Sequence, residues 1–353
     1  MRMNSHNRIM LFPKLNKIMM VVITIAFIVI GLRSYQLFRF IFDDNVNNPG
    51  TITIVFEATF DQVLDSLRTK GILKSEKAFR WVAEKKAYPG QIKAGRYFFQ
   101  AGQNTNSMVN MLKAGNQKPV SVIFNRLRFM EELAGKVSRY IAPDSAQLLA
   151  CLTDSTVMGK LGFNSFSFHA MFIPNTYEMY WTTTPEIFVR RMKAEYDRFW
   201  NEGRKTKADA LGLSPVEVIT LASIVQEETI KEEEKPVVAG LYLNRIRKGI
   251  PLQADPTIRY ALGDFGIKRI LTKYLAVDSP YNTYKYGGLP PGPINFPEIS
   301  SIDAVLNAQS HHYLYMCARE DFSGYHHFAR TLSEHNRNAK RYQQALNNQQ
   351  IWK

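Results

Sequence analysis

The sequence predicts an α+β protein carried on an N-terminal transmembrane helix, with a small α+β module followed by a larger mixed α+β domain. Three observations carry this expectation: an uncharged apolar run over 18–32, a strand–helix–helix–strand order within 51–99, and helical periodicity broken by short extended pieces from 129 onward. With 353 residues, 45% of them hydrophobic, the chain can bury a substantial core and divide into two or three domains. The formal net charge of +14 implies an anionic partner. Lys and Arg are spread along the whole chain without a zinc-finger or RNA-recognition signature. A membrane surface or an acidic polymer therefore suits the charge better than nucleic acid.

The run 18–32 would cross only ~23 Å of a ~30 Å hydrocarbon layer. The helix must continue through Tyr35, Leu37, Phe38, Phe40, Ile41 and Phe42, giving an expected span of 18–42 with Arg33 and Arg39 snorkelling outward. Arg2, Arg8, Lys14 and Lys17 precede the span and Asp43 and Asp44 follow it. The positive-inside rule then makes 1–17 a cytoplasmic tail and puts the rest of the chain outside the membrane. Residues 31–35 offer no small-x-small cleavage site, so a retained single-pass anchor is preferred to a cleaved signal.

A strand is expected over 51–56, then a helix opened by a Thr59/Gln62 capping box with Phe60, Val63, Leu64 and Leu67 on one face, ended by Gly71. A second helix follows Ser75, and Gly95 introduces an aromatic strand at 97–99. A helix over 107–114, closed by Gly115, and a strand over 120–124 extend this module to 50–125. Its element order looks like a LysM-type fold, a common wall-glycan binder; a spacer that binds nothing fits equally well.

The remaining domain, 126–353, opens with helices over 129–141 and 145–152 separated by Pro143. The segment 164–180 reads as irregular and aromatic-rich, with Phe166, Phe168 and Phe172 before Asn175, Tyr177 and Glu178. Flat rings beside amides and acids suit a carbohydrate groove, but the same composition describes a core loop. An amphipathic helix from Pro185 presents Phe188, Met192, Tyr196 and Phe199 and ends near Gly203.

Ser214, Pro215 and Glu217 spell the next helix start: a hydroxyl cap, a proline in the first turn, and a capping-box acid. At ~100° per residue, Leu221, Ile224 and Val225 project close to Glu228, while Gln226 points to the far side. Glu228 alone among the acids 227, 228, 232, 233 and 234 sits in the apolar stripe. Desolvation there disfavours the charged form and raises the pKa, as a general acid requires. The other acids read as a solvated helix end.

Pro236 restarts a helix that Gly249 stops, with Arg245, Arg247 and Lys248 in its last turn. Gln253 and Asp255-Pro256-Thr257 follow, and Asp255 is most simply a helix N-cap. The loop Tyr281-Asn282-Thr283-Tyr284 then Gly287-Gly288-Leu289-Pro290-Pro291-Gly292-Pro293 is dense in proline and glycine, which suits a stiff groove wall. A helix over 302–308, extended pieces over 313–318 and 326–329, and a helix from about 333 complete the chain. Five of the seven histidines lie in this tail without HExxH spacing, so no metal site and no cofactor is expected. Cys151 and Cys317 permit at most one disulfide and read as unrelated core cysteines.

Leu221 to Thr229 reads LASIVQEET, followed by LNRI, DPT, YNTY and GLPPGPI. These strings in this order, with PNTYE at 174–178, His326-x-Phe328 and the later His335-Asn336 pair, resemble the YceG-like family of membrane-anchored endolytic murein transglycosylases. The resemblance implies that Glu228 is the catalytic glutamate of a lyase that cuts peptidoglycan without water and leaves 1,6-anhydro ends. It implies glycan strands as substrate, residence in a bacterial inner membrane, and wall-synthesis enzymes as partners. The matched motifs and the groove reading make Asn175, Tyr177, Glu178, Gln226, Gln253, Asp255, Thr257, Tyr281, Asn282, Thr283, Tyr284, Leu289, Pro290 and His326 the candidate substrate contacts. Some relatives carry an acid where this chain has Gln226. The competing expectation is a tethered wall-binding scaffold without chemistry.

Overall fold

The computed structural model describes residues 17–267 and 269–349. All of the expected cytoplasmic tail except Lys17, and residues 350–353 of the expected C-terminal domain, lie outside the described residues. The chain divides into two compact units, 1–119 and 120–353.

In the first unit α1 (Lys17–Phe42) is followed by β1 (Gly50–Ile54), α2 (Phe60–Thr69), α3 (Glu76–Lys85), β2 (Gly95–Phe99) and α4 (Thr105–Ala114). From Met19 to Phe42, α1 is long and apolar enough to cross a membrane; its most apolar stretch is free of protein cover, while Phe40 and Ile41 near its end are half-buried. Thr59 caps α2 through the expected capping box, Ser75 caps α3, and Gly115 closes α4 in a left-handed conformation. β1 and β2 pair antiparallel, Ile52 opposite Tyr97. The apolar faces of these elements meet in one core around Leu64, Leu67, Phe79, Tyr97, Phe99 and Leu112.

The second unit begins one strand earlier than the sequence suggested. β3 (Val120–Phe124), expected to extend the small module, pairs antiparallel with β4 (Asn175–Met179) instead. Its alternation buries Val120, Val122 and Phe124 against the second core, where Phe124 stacks on Tyr177. Between these strands lie α5 (Met130–Val137), α6 (Ser145–Leu152) and α7 (Ser155–Lys160). Then come α8 (Pro185–Phe199), α9 (Glu202–Leu211), α10 (Pro215–Glu228), α11 (Lys235–Arg247) and α12 (Asp255–Leu262). The chain closes with α13 (Ile299–Leu306), β5 (Tyr315–Ala318), β6 (His326–Ala329) and α14 (Leu332–Asn348). The α+β class is that expected.

α10 is the central helix, buried from Val218 to Val225 and packed against α9, α11, α12 and α13. Gly240 lets α11 pass close to the next layer, since a Cβ there would collide with the Gln309 carbonyl. Gly292 does the same for the proline-rich loop, where a Cβ would meet the Phe166 carbonyl.

Candidate active site

α10 ends on Glu228, and Thr229, already in extended conformation, is its C-cap. The acids that follow are therefore off the helix. Glu228 keeps part of its surface open to a cavity of about 340 Å³, and protein crowds it on its other sides. α11 runs back past it and brings Tyr242, whose hydroxyl donates to Glu228 Oε1 at 2.6 Å. Burial pushes the Glu228 carboxyl from 4.5 up to about 7. The Tyr242 hydrogen bond opposes this by favouring the carboxylate, the Asp255 charge adds to it, and smaller effects come from Arg259 and Glu227. At neutral pH this group can both give and take a proton.

Asp255 is not the N-cap that its position before proline suggests. Ala254 occupies that place, and Asp255 is the first residue of α12 with its side chain turned into the cavity. Its Oδ1 accepts from the Tyr284 hydroxyl at 2.5 Å. Burial and this hydrogen bond both raise the Tyr284 pKa, so it remains a neutral donor. The Y-N-T-Y loop arranges this meeting. Asn282 ties the loop through Nδ2 to the carbonyls of Leu275 and Val277, at 2.9 and 2.7 Å. The Thr283 carbonyl accepts from Gln253 N, and its Oγ1 accepts from Ala254 N and shares a hydrogen bond of 2.8 Å with Thr257 Oγ1. Asn282, Thr283 and Thr257 are thus buried and build the wall, while Asp255 and Tyr284 face the cavity.

The remaining wall has a cationic and an imidazole side. Arg245 donates to the carbonyls of Pro251 and Leu314 and to Gln253 Oε1, at 2.9, 2.8 and 2.6 Å. Gln253 takes a left-handed backbone conformation, φ +54°, to hold that contact. His326 enters from β6, its Nδ1 2.9 Å from Glu234 Oε2, while its backbone N–H donates to Glu234 Oε1. Tyr315, Met316, Cys317 and Ala318 of β5, with His335 of α14, close the far side.

Of the residues expected from the sequence, the cavity gathers Glu228, Gln253, Asp255, Tyr284 and His326. Gln226 is elsewhere: its Oε1 accepts from Glu298 N and Ser301 Oγ at the start of α13, on the far side that the helical wheel indicates. Tyr281 is buried against Tyr260 and Phe166. Leu289 and Pro290 pack into the core side of their loop. The irregular segment expected around Asn175 contains β4, where the Tyr177 hydroxyl donates to the Ile173 carbonyl and Asn175 and Glu178 face solvent away from this cavity. Tyr242 and Arg245 escaped the sequence reading as site residues. The signal was present, because a tyrosine in the buried stripe Val238, Leu241, Tyr242, Arg245 needs an acceptor for its hydroxyl.

Fold and cleft together describe a protein with a membrane-length helix and a cavity that holds a glutamate of raised pKa. Known proteins narrow this. The model of the YceG-like family matches residues 52–341, and the chain belongs to that family. It is 28% identical over 318 residues to the endolytic murein transglycosylase of Bacillus subtilis, covering 84% of each protein. It is 26% identical to the protein of the same name from Streptococcus pneumoniae, of which it spans 59%. Among solved structures it resembles a YceG-like protein from Listeria monocytogenes, with a TM-score of 0.55 and 25% identity over 82% of this chain and 98% of that one.

Proposed function

We propose that the protein is an endolytic murein transglycosylase, held at the membrane by α1 with its catalytic unit outside. The observation that carries this reading is a glutamate poised near pH 7 on the floor of an open cleft, with a phenol as its donor. Protonated Glu228 gives its proton to the oxygen linking N-acetylmuramic acid to N-acetylglucosamine, and the C1–O bond breaks as cationic charge develops on the sugar. The resulting carboxylate takes the proton of the muramic C6 hydroxyl as that oxygen bonds to C1, leaving a 1,6-anhydro end and restoring the acid. An intramolecular nucleophile needs no second base, because effective molarity replaces it. Tyr242 fixes the Glu228 rotamer, and the Asp255 carboxylate faces the developing positive charge. Tethering at the membrane would hold the site where nascent strands and the enzymes that make them meet.

Asp255 in the same cavity supports a second reading, a two-carboxylate hydrolase that activates water. Digesting purified sacculi with the detergent-solubilised full chain separates the two by mass spectrometry. Anhydromuropeptides released by wild type and not by Glu228→Gln support the lyase. Reducing ends would mean hydrolysis, and sacculus binding without products would mean a scaffold.

A further inference from the structure

A hydrocarbon layer of ~30 Å accommodates about twenty helical residues. Counted from Met19, where the apolar span begins, that length is used up near Phe38. Arg39 and Asp43 then stand at the depth of the lipid headgroups, and Tyr35 just below them, where its amphipathic ring is at home. These residues form one wall of a cavity of about 430 Å³ within the first unit.

Two helices begin on the opposite wall. Ser75 is the N-cap of α3 and Thr105 the first residue of α4, so two positive helix ends face the same space. Thr105 is 1% exposed, and its Oγ1 has no hydrogen-bond partner among the described residues. A buried hydroxyl left unpaired is costly, and one that lines a cavity points to a ligand oxygen. The fixed charges choose the ligand. Arg39 pairs with Asp43 and Lys74 with Asp44, each at 2.6 Å, so cations and carboxylates balance around the opening. A bare anion gains little there; a zwitterion finds a partner for each of its charges.

We infer that this cavity binds the headgroup of a zwitterionic membrane phospholipid, with the Thr105 hydroxyl donating to a phosphate oxygen and the ammonium lying toward Asp43 and Asp44. The site ties the module of the first unit to the lipid surface. It rests on α1 being a membrane span and not on the chemistry at Glu228.

The test uses the full chain released from bilayer nanodiscs containing phosphatidylethanolamine and phosphatidylglycerol, with bound lipid read by native mass spectrometry. Wild type should retain phosphatidylethanolamine, and Thr105→Val should retain about fivefold less. In lipid-free detergent Thr105→Val should melt no lower than wild type, since a methyl replaces an unpaired hydroxyl; added phosphatidylethanolamine should raise the wild-type melting temperature more. Equal lipid retention by the two proteins overturns the inference, as does a lipid-free loss of stability in the variant. Displacement of the lipid by millimolar inorganic phosphate would make this a general phosphate site and overturn the lipid assignment. Release of the chain from membranes by carbonate would remove its premise, and sacculus digestion by the solubilised protein would stand unaffected.

Discussion

Glu227 and Glu228 are neighbours in sequence and point ~100° apart at the end of α10. On the Glu227 side lies a cavity of about 480 Å³, larger than the one Glu228 lines. Three of its carboxylates lie against cations: Arg128 reaches both oxygens of Glu227 at 3.1 Å, Lys235 reaches Glu232 at 2.6 Å, and Arg126 lies 3.8 Å from Glu298. In the Glu228 cavity the carboxyls meet phenols, Tyr242 on Glu228 and Tyr284 on Asp255. Burial raises the Glu228 pKa, and the neutral Tyr242 phenol offsets that rise only in part. Partner type, not cavity size, is what distinguishes the two sides of α10.

The largest effect should come from exchanging the two glutamates for glutamine one at a time. Glu228→Gln is expected to lower the release of anhydromuropeptides ~10³-fold or more, the scale of a lost general acid. Glu227→Gln should stay within about threefold of wild type, because it removes half of a partly exposed ion pair and no reacting group. Initial rates on sacculi decide it. Comparable losses in both variants would end the distinction between the two sides of α10.

Next in size is a pair of pH shifts with opposite signs. The alkaline limb of kcat/KM reports the free enzyme's acid, expected near pH 7 here. Tyr242 stabilises the carboxylate, so Tyr242→Phe should move that limb to higher pH. The Asp255 charge disfavours the Glu228 carboxylate, so Asp255→Asn should move it to lower pH. Each displacement is expected to be about half to one pH unit. Limbs that move in the same direction would show that Glu228 does not set them.

The sequence carried one side of this contrast and not the other. Glu228 stood out because helical geometry is local: its place among Leu221, Ile224 and Val225 follows from spacing, as do the Thr59 and Ser214 caps and the Gly115 terminator. The partners come from elsewhere in the chain. Tyr242 lies one helix on, and Tyr284 reaches Asp255 through a loop that Asn282 and Thr283 fold by side-chain bonds to distant backbone. Asp255 was mistaken for a cap for the same reason: Asp-Pro is a sound local signal, and only the tertiary bond to Tyr284 reassigns it. The β3 pairing with β4 crosses some fifty residues that no local pattern spans. α9 lacks a strong apolar stripe, and so its roughly three polar-rich turns went unread between the helix expected to end near Gly203 and α10.

The smallest expected effect tests the quiet side directly. Arg128 and Glu227 expose 27% and 28% of their side chains, where an ion pair contributes at most ~1 kcal/mol. The Arg128 guanidinium also sits 3.9 Å from the centre of the Phe265 ring, which adds ~0.5–1 kcal/mol of cation–π attraction. Arg128→Ala should therefore lower the melting temperature by only about 2–4 °C. Releasing Glu227 from its cation leaves a charge whose influence on Glu228 ranks below that of Asp255. The alkaline limb should consequently move up by less than Asp255→Asn moves it down, with the rate at pH 6 within about twofold of wild type. A displacement as large as that of Asp255→Asn would mean that the two cavities share one electrostatic site, and the ion pairs around Glu227 would then belong to the catalytic machinery.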